Sequence, residues 1–112
     1  MDFVIREWAL APYPGDQAPP HVHYESDEAF YVLDGEMEFL VGDERRRVPA
    51  GTLVMIPSGT THTFATVGAE GARVLAVMTP EIAALIEGLH APGLTAEGRA
   101  EVWRRGRSAV VG

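Results

Sequence analysis

From Glu36 to Val41 polar and apolar side chains alternate, Glu36 and Glu38 on one face and Met37, Phe39 and Val41 on the other. That period of two belongs to a half-buried β-strand. Asp34-Gly35 before it and Gly42-Asp43 after it are turn signals, so it is flanked by hairpins. The same reading predicts strands at 3–11, 28–33, 45–48, 62–67 and 72–78, and a short buried strand at 52–56. Residues 18–24 are extended, because Pro19 and Pro20 disfavour helix and restrict the residues before them. Pro12-Tyr13-Pro14-Gly15, Pro49-Ala50-Gly51, Pro57-Ser58-Gly59 and residues 68–71 separate these runs. Short strands punctuated this way make an all-β barrel or sandwich.

The period changes at Thr79. Thr79-Pro80-Glu81 supplies an N-cap, a first-turn proline and an acidic residue at the positive end of a helix. Ile82, Leu85, Ile86 and Leu89 follow at helical spacing, with Gly88 as the stop. Thr95 caps a second helix running to about Arg105, with Gly98 weakening it. The expected organisation is one domain over 1–112, a barrel over about 1–79 and a short C-terminal helical tail over about 80–112. The tail is expected on the outside of the barrel or on a neighbouring subunit.

Composition narrows the chemistry. With 46% hydrophobic and 22% charged residues the chain reads as an ordinary globule. A formal net charge of −7 argues against nucleic acid as a partner. The absence of cysteine removes disulfides, thiolate ligands and thiol nucleophiles together. No apolar run approaches the roughly 18 residues that cross a bilayer, and the N-terminus shows neither a basic flank nor a cleavage site, so no membrane partner and a cytoplasmic location are expected. Every basic residue is arginine. Arg45, Arg46 and Arg47, and later Arg99, Arg104, Arg105 and Arg107, read as solvated faces or subunit contacts. Three consecutive strand residues cannot all face inward toward an anionic substrate.

The remaining chemistry is histidine. His21 and His23 stand two apart, with Glu28 soon after, and His62 comes from a second segment. Side chains at i and i+2 of a strand share a face. If the two segments neighbour one another, three imidazoles and a carboxylate meet at one point. That donor set suits one divalent transition metal with positions left open for a substrate: iron, manganese, nickel, cobalt, copper or zinc. The lack of thiolates argues against a closed structural zinc site. Glu25 and Asp27 lie close enough to compete with Glu28. His90 reads as a surface or capping residue of the tail. Tyr24, Phe30, Met37, Phe39, Met55, Phe64 and Met78 are candidates either for plain core packing or for the walls of a pocket around the ion.

These two segments resemble the cupin signature. The first runs Gly15, five residues, His21-Val22-His23, four residues, Glu28, six residues, Gly35; the second runs Gly51, five residues, Pro57, one residue, Gly59, two residues, His62. The pattern usually closes on an asparagine where this chain has Thr66. The resemblance implies a single-domain cupin, a double-stranded β-helix or jelly-roll barrel, with His21, His23, Glu28 and His62 as metal ligands. It selects Glu28 over its acidic neighbours. Cupins carry many activities, so the fold alone settles little. The favoured expectation is a quercetinase-like or acireductone-dioxygenase-like enzyme acting on an enolic or phenolic small molecule, with Glu28 as catalytic proton acceptor. The alternatives are a metal-assisted isomerase, decarboxylase or lyase of a sugar or keto acid, and a non-catalytic module binding a small ligand. Similarity to single-barrel cupins also implies a homodimer, with strand 3–11 and its Trp8, and the tail around Trp103, as candidate contacts.

Overall fold

In the computed structural model, which describes residues 1–111, two antiparallel sheets face one another around a shared core. The strands are β1 (Val4–Leu10), β2 (His21–His23), β3 (Glu28–Asp34), β4 (Glu36–Val41), β5 (Glu44–Pro49), β6 (Leu53–Ile56), β7 (His62–Val67), β8 (Ala72–Met78) and β9 (Ser108–Val110). Two helices, α1 (Pro80–Leu89) and α2 (Ala96–Arg105), lie between β8 and β9. One sheet has the order β1-β8-β3-β6 and the other β5-β4-β7-β2-β9. The chain crosses repeatedly between them, which is the winding of a double-stranded β-helix.

Register decides which residues face inward. In the first sheet Val4, Met78, Glu28 and Ile56 form one inward row, and Ala76, Phe30 and Val54 belong to the next. In the second, Met37 pairs with Thr66, Phe39 with Phe64 and Val41 with His62. Phe30, Val32, Met37, Phe39, Val48, Val54 and Ile56 are buried where the inner faces meet. Phe30, Phe39 and Phe64 form a ring cluster with centroids 5.4–5.9 Å apart, within the range of favourable aromatic contact. Met37, Phe39 and Met78 are therefore core. Tyr24 and Met55 are exposed and take no part in that core. β6 is half-buried, not buried, because Leu53 and Met55 face solvent while Val54 and Ile56 face the core.

The tail departs from expectation in two respects. It ends in a strand: β9 pairs antiparallel with β2, Val22 opposite Ala109 and His23 opposite Ser108. Gly88 does not stop α1, which runs on to Leu89 with His90 as its cap. A Cβ at Gly88 would lie 2.9 Å from Val102 Cγ1, so this glycine lets α2 approach α1 closely. Both tryptophans, partly buried, make ring contacts within the chain. Trp8 packs on Phe30 and Phe64 with centroids 6.2 and 6.5 Å away, and Trp103 lies 5.7 Å from the His21 ring. Both rings are thus engaged within the chain.

A hydrogen-bond chain fixes the tail to the barrel. The Thr79 hydroxyl accepts from the Ile82 amide as the N-cap of α1 and donates to Ser26 Oγ. Ser26 donates to Glu81 Oε1, and Arg107 donates to Glu81 Oε2. Arg107 thus anchors the entry to β9, where it adopts a left-handed φ of 48°. Arg45 pairs with Asp16 and Glu38, and Arg47 with Glu36, both away from the interior.

Gly71 and Gly51 both have left-handed φ, 74° and 90°, but a Cβ at Gly71 would sit 2.1 Å from the Leu10 carbonyl oxygen, while one at Gly51 meets nothing within 4 Å. Gly51→Ala is expected to cost about 1–2 kcal/mol, the left-handed penalty alone. Gly71→Ala is expected to cost at least about 2 kcal/mol more through overpacking. Urea unfolding at equal m-value checks the difference.

Candidate metal centre

Three strands bring the four predicted residues to one place. His21 and His23 share the inward face of β2, His62 starts β7 directly opposite His21, and Glu28 opens β3 on the facing sheet. Each offers a ligand atom, and these atoms all lie within 4.8 Å of one another. The imidazole centroids are 4.3–5.0 Å apart. His23, Glu28 and His62 are buried and His21 is partly so. Glu25 and Asp27 are both exposed and outside the cluster, and Asp27 accepts from the Ser58 amide at 2.7 Å. The structure thus separates Glu28 from its acidic neighbours.

The outer nitrogen of each ring is committed elsewhere. His21 Nδ1–H donates to the Pro19 carbonyl at 2.8 Å and His62 Nδ1–H to the Thr60 carbonyl at 2.9 Å. A carbonyl can only accept, so both Nδ1 atoms carry the hydrogen. His23 Nδ1 lies 2.6 Å from Ser108 Oγ, and Ser108 spends its own hydrogen on the Gly106 carbonyl at 2.9 Å. Toward His23, Ser108 can therefore only accept. All three rings are fixed in the tautomer that turns Nε2 to the centre, the arrangement that orients metal-binding imidazoles.

At that centre, neutral Nε2 atoms would meet an acceptor. Glu28 Oε1 lies 2.9 Å from His23 Nε2 and 3.1 Å from His62 Nε2. Lone pairs facing a carboxylate oxygen at this distance repel unless a positive charge stands between them. Protons on the rings can provide it, and so can a metal cation, which displaces those protons. The donor set therefore fits one metal ion, and these four side chains could hold it.

The titration of the residues reflects the same crowding. Burial, and then the neighbouring His62, lower the His21 pKa to about 4, despite the hydrogen bond to Pro19. Burial by itself would raise Glu28, but hydrogen bonds from His23 and His62 outweigh it and bring the carboxyl down to about 2. Oε1 takes both of those contacts. No buried polar side-chain atom among the described residues lacks a partner. Oε2, which has none, therefore reaches open space.

That space is a cavity of about 830 Å³. His21, His23 and Glu28 form its polar end; Trp8, Phe30 and Phe64 form one wall, and Leu85, Ile86, Leu89 and Trp103 from the tail form the other. The volume suits a drug-sized molecule, since ligand pockets run from about 300 to 1,000 Å³. His90 caps α1, as its place in the tail suggested, and lies on the rim. Thr66, where an asparagine is usual, accepts from the Tyr13 amide at 3.2 Å and is not part of the cavity wall. Ser108, which orients His23, and the cavity-lining rings of Trp8 and Trp103 are site features that sequence reasoning missed. A lone serine in a tail carries no signal, whereas the inward alternation of Trp8 with Val4 and Leu10 could have placed that ring.

Both shifted groups make metal-free protein acid-sensitive. Between about pH 6.5 and 4 the unfolded chain binds a proton at His21 that the folded chain resists, and between about pH 4.5 and 2 the same holds for Glu28. Stability rises with pH wherever the unfolded state binds more protons. The Tm of metal-free protein is therefore expected to fall steadily from pH 7 to pH 4, and calorimetry showing a flat or rising Tm would contradict the assignment.

Comparison with known proteins agrees with this geometry. The family model described as "Cupin domain" matches residues 11–78. Quercetin 2,3-dioxygenase of Bacillus subtilis (strain 168) is 40% identical over 50 residues, 45% of this chain and 15% of that protein. Among solved structures, the polyketide cyclase RemF of Streptomyces resistomycificus is 35% identical, covering 68% of this chain and 53% of the other at a TM-score of 0.59. A protein of Thermus thermophilus is 32% identical, covering 70% and 72%, at 0.62. The chain spans less than two thirds of the length of the first two. With more than half of its residues matched, and the histidines and glutamate of its two motifs gathered inside two facing sheets, the chain belongs to the cupin family.

Proposed function

We propose that this protein is a metal-dependent enzyme for small enolic or phenolic molecules, with His21, His23, Glu28 and His62 holding one divalent transition-metal ion and dioxygenation as its reaction. The observation that carries the reading is the juxtaposition of an ionised Glu28 with an aromatic-walled cavity large enough for a planar molecule. When bound, the ion supplies a Lewis-acid centre with open positions and, if redox-active, an electron path to dioxygen.

The chain's own residues account for the rest. Trp8, Phe30 and Phe64 offer ring faces against which a flat substrate stacks. Glu28 Oε2 is the free carboxylate oxygen and accepts the proton of the substrate hydroxyl. In the metal-free site Glu28 is ionised and a weak base, and a bound cation would likewise keep it ionised, so the transfer favours acidic hydroxyls such as enols and phenols. Leu85, Ile86 and Leu89 of the tail give the cavity an apolar side beside its polar end.

A second reading, ring closure or isomerisation without dioxygen, is supported by the 35% identity to a polyketide cyclase. The same Glu28 would then take a proton from the carbon or hydroxyl flanking a carbonyl. A keto sugar or keto acid fits the cavity less well, given its mainly apolar walls.

Protein reconstituted in turn with each candidate metal is expected to consume oxygen when given flavonols, enediols or diketones. Conversion of the same compounds under nitrogen would instead favour the second reading. Failure of every compound to react, with a small molecule retained through purification, would favour a non-catalytic binder. His21→Ala or His62→Ala is expected to lower metal content severalfold or more. Ser108→Ala, which frees the His23 ring and also removes a donor to the Gly106 carbonyl, is expected to weaken metal binding about 10–100-fold. Unchanged metal stoichiometry in the two histidine variants would remove the ligand assignment.

A further inference from the structure

The tail lies outside the matched family segment, which ends at residue 78, yet it supplies seven of the nineteen residues that line the cavity. It also supplies a charge. Of the nine arginines, Arg46 and Arg99 alone have no carboxylate partner within salt-bridge distance among the described residues, and only Arg99 borders the cavity. Arg99 stands in the first turn of α2, an exposed position on the rim. The one acidic residue on that rim, Glu7, is already paired with Arg73 at 3.2 Å. His90 borders the same rim, and its Nδ1 is committed to the Ile86 carbonyl at 2.8 Å, leaving Nε2 for a ligand.

The cavity therefore has two polar ends of different kinds, joined by apolar walls. The inner end is the donor cluster around Glu28, and the outer end is a guanidinium with no protein carboxylate to satisfy it. We infer that the ligand is an elongated aromatic acid, with its hydroxyl or enol at the inner end and a carboxylate or comparable anion held by Arg99. A planar guanidinium matches a carboxylate with two parallel hydrogen bonds, which makes arginine the suited residue for this task. The chain's net charge of −7 works against binding any anion, so a preference for one must arise locally. This inference rests on the proposed metal-site reading for the inner end only; the outer subsite depends on Arg99 alone.

The test uses zinc-loaded protein, whose metal is redox-inert, and 6-hydroxy-2-naphthoate, which carries hydroxyl and carboxylate at opposite ends. Its methyl ester is the neutral control. The chain has two tryptophans, Trp8 and Trp103, and both border the cavity, so quenching of their emission reports occupancy, with calorimetry giving Kd. The acid is expected to bind about tenfold tighter than the ester, about 1.4 kcal/mol. Arg99→Gln is expected to abolish or reverse that preference while leaving the ester's Kd within twofold, and Arg99→Lys to restore it in part. An acid preference that survives Arg99→Gln would overturn the anion subsite, because the carboxylate would then be held elsewhere. Equal binding of acid and ester to the unaltered protein would overturn it as well. Absence of quenching by either compound would overturn the inference that the cavity takes an aromatic acid. The zinc content of the same samples reports the inner site separately, so failure of the ligand inference and failure of the metal reading are distinguishable.

Discussion

The arrangement at the centre of the barrel is one of unanswered electron pairs. Each of the three imidazoles has its Nδ1 hydrogen drawn outward, two by backbone carbonyls and one by Ser108, which turns Nε2 inward. Glu28 meets two of those nitrogens at about hydrogen-bond distance from the facing sheet. Such a set is costly to bury unless something positive joins it. The two sheets, the crossings between them and the tail hold the four groups at this spacing, and the acid sensitivity and the fit to a cation both follow from it.

Much of this was readable in the residues. Two histidines at i and i+2 share a strand face whatever the surrounding fold, and hairpin signals at Asp34-Gly35 placed Glu28 on a strand of its own. The barrel strands likewise follow from alternation and from glycine and proline punctuation, because one face of each is buried and the other wet. The tail was harder to read. Ser108-Ala109-Val110 is too short to show a period, and its pairing with β2 is fixed by partners more than 80 positions away in sequence. Gly88 shows a related difficulty. A glycine late in a helical run can end the helix or admit a neighbour, and only the position of Val102 decides between them. The inward packing of Trp8 and Trp103 was hard to read for the same reason: which side of an edge strand or a terminal helix is covered depends on the element packed against it.

The same tail explains how a common barrel acquires its own pocket. The matched segment contributes the donor cluster and the phenylalanine floor, while α1 and α2 add the apolar roof, Trp103 and the rim arginine. Closeness between the two helices depends on Gly88, and their attachment to the barrel on the line from Thr79 through Ser26 and Glu81 to Arg107. Donor cluster and pocket roof thus come from different parts of the chain, so the roof can change while the cluster stays.

The contact between His23 and Ser108 spans 85 positions, and loops of that length close late in folding. A ribosome releases β2 well before β9, so His23 emerges ahead of the serine that orients it. The ring of His23 consequently has no fixed orientation until β9 has paired with β2. Maturation of the centre must wait for that pairing, which delays capture of any ion until the barrel strands and the tail have both been made.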